Sequence, residues 1–273
     1  MAKDDSYVST SLGRFRQYHP VVLVPPYRES ALRRIADTPT LKMMELWKSE
    51  TRQVVGQSIE IMAGNRRNNK VFQSIQGQLN TAVPEKYRGQ LVLILWLDVF
   101  PNPNMIILTH EIGHWVLKLQ GYRNLFCNPR DVMREMLVND VAMHVPLYNL
   151  QRSIGHEPQD EIDSRTENDI HLIEKANSET TDSAAAALLF TDDILNCSEM
   201  RRRQMKSSLK NFLPDVLGLV DEVTTEAHNY DVLNPLQNVA FKKSLVKKLG
   251  LGGQWDVADD VETLRRHVRQ ISV

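Results

Sequence analysis

His110-Glu111-Ile112-Gly113-His114 lies within residues 105–120, a stretch whose apolar spacing predicts a helix. Leu108, Ile112, Val116 and Leu119 recur at helical intervals and form a stripe turned away from the histidines. Gly121 then supplies a stop. A helix turns by about 100° per residue, so His110 and His114, one turn apart, share a face. Two imidazoles so placed can grip a single Zn2+, with Glu111 between them set to act on water. The competing reading is a solvated or hydrogen-bonded helix face that carries H-E-x-x-H by accident. The neighbouring sequence has to decide between them.

Upstream, residues 90–100 (Leu91, Val92, Leu93, Ile94, Leu95, Trp96, Leu97 and Val99) read as a strand. It is short, continuously apolar, and closed by Pro101-Asn102-Pro103-Asn104. Before it, residues 1–28 read as irregular, with His19-Pro20 and Pro25-Pro26 as breakers. Helices are expected at 29–37, 39–62 and 71–79, with a polar connector over 63–70. Downstream, Asn128-Pro129-Arg130-Asp131 resembles a helix start, with Asn at the N-cap, Pro first and Asp third. That helix is expected to reach about residue 150, kinked by Pro146. Apolar residues surround most of its circumference, which predicts burial. Residues 153–169 are polar and acidic and suggest a boundary. Beyond it, helices are expected at 170–177, 184–209, 211–227, 235–249 and 257–273, with no internal repeat. The expected class is α+β, predominantly helical. Residues 1–152 form a region with a small sheet and 153–273 a helical C-terminal region, packed on the first or standing beside it.

Composition narrows the function classes. The 273 residues carry 33 Lys+Arg against 34 Asp+Glu, a formal net charge of −1, so no global field points to nucleic acid or membrane. Arg201-Arg202-Arg203 with Lys206 and Lys210, and the pairs at 242–243 and 247–248, read as solvated helix faces. Asp192, Asp193 and Glu199 balance the first cluster, and no aromatics interleave. Cys127 and Cys197 make no disulfide framework or C-x-x-C pair and read as ordinary buried thiols. The Met1–Ser6 stretch has no apolar segment of a signal peptide, and the apolar run at 91–97 is too short to cross a bilayer. A cytoplasmic protein is expected, with no membrane or nucleic-acid partner; its oligomeric state is not readable. Ala184 to Ala187 reads as helix filler or close helix packing.

A catalytic zinc takes three protein ligands and keeps a fourth position for water. Glu135 follows His114 by 21 positions on the well-started second helix and is the favoured third ligand. Asn139, one turn later, could steady a ligand from behind. Asp140 and His144 form a rival pair one turn apart, rotated well away from Glu135. An ion pair of Glu135 with Arg130 or Arg134 is the plainer alternative. Taken alone, His144 reads as a satisfied core histidine, as do His19, His171 and His267.

The segment Glu135-Met136-Leu137-Val138-Asn139-Asp140-Val141-Ala142 resembles the E-x-x-x-[ND]-x-x-A pattern of gluzincin ligand helices. With strand, turn and H-E-x-x-H helix before it, the stretch from Leu91 to Tyr148 is similar to the ImmA/IrrE-like soluble metallopeptidases. Membrane-embedded gluzincins share the second pattern. Val138 stands where a small residue is usual, Val145-Pro146 comes early, and the C-terminal half has no counterpart. The resemblance implies a zincin-like region with Zn2+ held by His110, His114 and Glu135. It implies Glu111 as general base, and a protein or peptide as substrate. The oxyanion donor is open among His144, Tyr148, His156, His228 and Tyr230. The alternatives are a non-catalytic regulatory or interaction protein that keeps the zincin scaffold, and a helical interaction protein with an accidental motif.

Overall fold

The computed structural model describes residues 28–65, 81–87, 90–97, 104–176 and 181–271. The irregular start (1–27), the end of the polar connector (66–70), the helix expected at 71–79 and the turn at 101–103 lie outside the described residues. Among the described residues there are ten helices and five short strands, a predominantly helical α+β chain. None of these helices is long and apolar enough to cross a membrane. The chain divides into two units: residues 1–120, 154–156 and 259–273, and residues 121–153 and 157–258. Residues 121–152, expected with the sheet-bearing region, thus group with the helical part, and the last helix groups with the sheet.

In the first unit, α1 (Glu29–Ile35) leads into α2 (Thr38–Val55). Asp37 caps α2 by accepting the Thr40 amide at 2.9 Å, and Gly56 ends it in the left-handed conformation, φ 84°. The helix expected to reach residue 62 therefore stops at Val55. The chain turns back, held where Trp47 Nε1 donates to the Ile59 carbonyl at 2.8 Å, and enters β1 (Glu60–Asn65). Buried Glu29 ties three elements together: it pairs with Arg33 on α1 and Lys48 on α2, and accepts the Ile61 amide of β1. β2 (Thr81–Tyr87) and β3 (Gln90–Leu97) complete a sheet of order β1-β3-β2. β1 runs parallel to β3 (Ile61 beside Leu93) and β2 antiparallel to it (Ala82 beside Leu95). β3 is central, and Leu91 to Leu95 are all buried, which explains its unbroken apolar run. β2 was not expected as a strand. Its Pro84 argues against a central position, and as an edge strand it tolerates a missing N–H. The helix α3 (Met105–Leu119) packs on α2 and β3, and α10 (Asp260–Ile271) packs on α2, α3 and β3.

The second unit begins with β4 (Leu125–Asn128), which pairs antiparallel with β5 (Gln254–Val257). Gly253, at φ 92°, is needed where β5 begins, because a Cβ there would lie 2.6 Å from Cys127 Sγ. The helix α4 (Val132–Ile154) starts three residues later than its Asn-Pro signal suggested. Asn128 is spent in β4, and Asp131 instead accepts the Arg134 amide at the first turn. The acidic stretch read as a boundary is largely helix α5 (Gln159–Ile173), with Ile162, Thr166, Ile170 and Ile173 buried. The helix expected over 184–209 is two: α6 (Ser183–Asn196) and α7 (Glu199–Phe212). Ser198 breaks them by capping α7, while its own amide donates to Asp163 at 2.8 Å. α8 (Pro214–Ala227) and α9 (Pro235–Lys248) follow. The Ala184–Ala187 run lets α6 approach α8 closely, with Ala187 fully buried.

Pro146 does not end α4, and its missing N–H leaves the Ala142 carbonyl without its helical donor. Fully buried Asn238 of α9 supplies the replacement, donating from Nδ2 to Ala142 O at 2.6 Å and to Val232 O at 3.1 Å. Asn238→Ala should lower stability by about 1–3 kcal/mol in urea denaturation, since it strands a buried carbonyl. In a Pro146→Ala background, where residue 146 regains an N–H, the loss should be smaller. Equal losses in both backgrounds would contradict this coupling.

Candidate functional site

Asn104 starts α3 by accepting the Ile106 amide at 2.9 Å. Leu108, Ile112, Val116 and Leu119 are buried as their spacing predicts, and Thr109, Trp115 and Leu117 are buried as well. His110, Glu111 and His114 are half-buried, on the face that is left. The two imidazoles stand edge to face, interplanar angle 82°, with their Nε2 atoms 3.2 Å apart. Nitrogens at about 2.0–2.1 Å from a tetrahedral Zn2+ sit about 3.3 Å from each other. The observed gap therefore suits an ion taken by both rings, as it also suits one shared hydrogen. One helical turn supplies this geometry without help from any loop.

The residue before His110 anchors this turn. Thr109 Oγ1 lies 3.1 Å from His156 Nδ1, and His156 Nε2 lies 3.2 Å from both carboxylate oxygens of Asp37. Burial works against the Asp37 charge, but hydrogen bonds from Thr40 and His156 hold its carboxyl below the usual range. His156, named as an oxyanion candidate, is thus engaged at both ring nitrogens. It links the start of α2 to the metal-motif helix.

Glu135 and Asn139, one turn apart on α4, both hold β4. Glu135 Oε1 accepts the Cys127 amide at 2.9 Å, and its Oε2 lies 3.6 Å from Arg130 Nε. Asn139 accepts the Leu125 amide at 2.8 Å and donates to the Leu125 carbonyl at 2.9 Å. A helical i,i+4 step spans about 6 Å, close to a two-residue step along a strand, about 6.6 Å. The pair therefore clamps residues 125 and 127 of β4. The E-x-x-x-N pattern serves as a strand clasp, and the Arg130 ion pair is present as the plainer reading foresaw.

His144 lies on the same helix in a buried polar cluster that the sequence does not reveal as a unit. Its Nδ1 is 2.7 Å from Asp192 Oδ2, both side chains being buried. Arg165 donates to Asp192 Oδ2 at 3.1 Å, to Asp193 Oδ1 at 2.9 Å and to the Tyr148 hydroxyl at 3.1 Å. Burial opposes a charge on His144, yet Asp192 beside it prevails and raises its pKa. Burial pushes the Tyr148 hydroxyl up as well, against the pull of Arg165. Asp140 is also raised, chiefly by burial. Asp169 and Asp193 face each other, and burial raises both; their contact raises Asp193 further while holding Asp169 down. Asp193 Oδ2 has no other hydrogen-bond partner among the described residues, as suits a proton shared with Asp169.

The remaining candidates are spread out. Tyr230 stacks on Phe241, ring centroids 5.6 Å apart, and belongs to the core. His228 is exposed at the end of α8. His171, expected in a core, is exposed and pairs with Glu174. His267 is half-buried, and burial lowers its pKa. His19 lies outside the described residues. Both cysteines are free and buried, and burial pushes the Cys197 thiol up to about 11. The basic run on α7 is matched by acids: Arg201 to Glu167, Arg202 and Arg203 to Glu199, Lys206 to Asp221.

The Asp169–Asp193 pair has a signature in stability against pH. Raised carboxyl pKa values mean that the native state holds a proton the unfolded chain has released. Their contribution is full below the ordinary carboxylate range and is lost as pH rises through the native values. Asp169→Asn keeps a hydrogen bond to Asp193 without a second ionisable group. Urea denaturation from acid to neutral pH should show wild-type stability falling more steeply than that of Asp169→Asn. Parallel profiles would contradict the shared proton. No protein-family model, curated protein or solved structure matches this chain.

Proposed function

We propose that the chain is a zinc-dependent peptidase in which His110 and His114 hold the ion and Glu111 is the general base. The observation that carries the reading is the 3.2 Å approach of two Nε2 atoms on one turn of α3, with a carboxylate between them in sequence.

A bound Zn2+ would supply Lewis acidity toward a peptide carbonyl and lower the pKa of water toward ~7. The chain's own contribution lies in Glu111. Adjacent to His110 and half-buried, it takes the proton of the attacking water and returns it to the leaving amine. Neutral imidazoles leave the full charge of the ion to polarise the substrate, where a carboxylate ligand would offset part of it. Peptide hydrolysis suits this set because it needs an electrophile, a base and no redox partner.

Zinc content and cleavage of a quenched fluorescent peptide library test the reading together. Wild type should carry about one equivalent of zinc, as a single catalytic site requires. His110→Ala and His114→Ala should lose it, while Glu111→Gln keeps it. Glu111→Gln should cleave about 10²–10⁴-fold more slowly. A zinc-free wild type would sink the proposal, and unchanged cleavage by Glu111→Gln would remove its base.

A further inference from the structure

Every residue of α3 from 108 to 119 is buried except His110, Glu111, His114 and Lys118. At about 100° per residue these four share one arc of about 100°. Lys118 therefore carries the face of the two imidazoles one turn further, about 6 Å beyond His114. Helical side chains lean toward the N-terminus of their helix, and Lys118 does so. Its Nζ lies over the Trp115 ring, 4.1 Å from the centroid, which brings the ammonium back over the turn that holds His114. Trp115 is buried, so the cation rests on a fixed apolar plate. The carboxylate facing it is Asp260, at the start of α10 and in the same unit, with Oδ2 3.5 Å from Nζ. A strong charged hydrogen bond closes to about 2.7–2.9 Å, so this contact is loose. Asp260 Oδ2 is buried and has no hydrogen-bond partner among the described residues.

We propose that Lys118 is a specificity-determining residue of the site. Its ammonium takes a carboxylate of the peptide substrate, from the peptide's C-terminus or from an acidic side chain near the bond attacked. The inference rests on the peptidase reading above. An ammonium offers three donors, so a substrate carboxylate binds beside Asp260 or in its place. Asp260 shows where a carboxylate is accepted, and it competes for that position. A pin between α3 and α10 would account for the Lys118–Asp260 pair as well, but it would give no preference between charged and neutral peptides.

The slow Glu111→Gln protein lets binding be read apart from turnover. Isothermal titration calorimetry compares acetyl-tetraalanine with its C-terminal amide, and a C-terminally amidated alanine peptide holding one glutamate with its glutamine counterpart. At least one carboxylate peptide should bind about tenfold more tightly than its neutral partner. The pair that separates tells a terminal carboxylate from a side-chain one. Adding Lys118→Met should remove the preference, and adding Asp260→Asn should increase it by removing the internal competitor. Circular dichroism melts establish folding, and Lys118→Gln takes the place of Lys118→Met if that variant does not fold. A folded Lys118→Met protein that keeps the preference overturns the inference, as do carboxylate peptides that bind no better than neutral ones. Zinc content is read on the same samples. A zinc-loaded protein without the preference loses this inference alone. A zinc-free protein with a Lys118-dependent preference keeps the carboxylate site and loses the peptidase reading.

Discussion

Two imidazole nitrogens 3.2 Å apart on one helical turn cannot both keep a proton in the gap. They share one hydrogen, or they share a cation. Much of the first unit serves to keep that turn where it is. Asn104 fixes its start, Thr109 ties it through His156 to the capped end of α2, and its apolar face packs on α2 and β3. The central strand β3 is buried on both faces, and it gives α3 a rigid apolar floor.

The second unit meets a different constraint: several charges are taken out of water together. Arg165 supplies the compensating cation for Asp192 and Asp193, while Asp169 and Asp193 reduce their burden by retaining a proton. Such a network is weak evidence for stability, because a buried ion pair often does no better than an apolar replacement. Its value lies in geometry. It holds one ring, His144, in one orientation against Asp192.

The sequence shows α3 plainly because its stripe, its cap and its stop all agree, and β3 because five consecutive buried residues leave no other reading of so short a run. It hides β1, since Ile59 and Ile61 continue the helical spacing of α2 and only the positive φ of Gly56 breaks it. It hides β2 behind Pro84, and the division of α6 from α7 behind helix-compatible residues around Ser198. A carboxylate and an amide one turn apart, Glu135 and Asn139, suit a metal helix and a strand clasp equally well in sequence, and only the structure shows them holding residues 125 and 127 of β4. The Asp192–Arg165–His144 cluster joins three helices far apart in sequence, and no local periodicity announces it.

Zinc K-edge X-ray absorption of the zinc-loaded wild-type protein tests the central claim most directly, because imidazole rings leave a countable multiple-scattering pattern. The account predicts at least two imidazole nitrogens, those of His110 and His114, at about 2.0–2.1 Å. An all-oxygen six-coordinate shell, with no imidazole in it, would contradict the site.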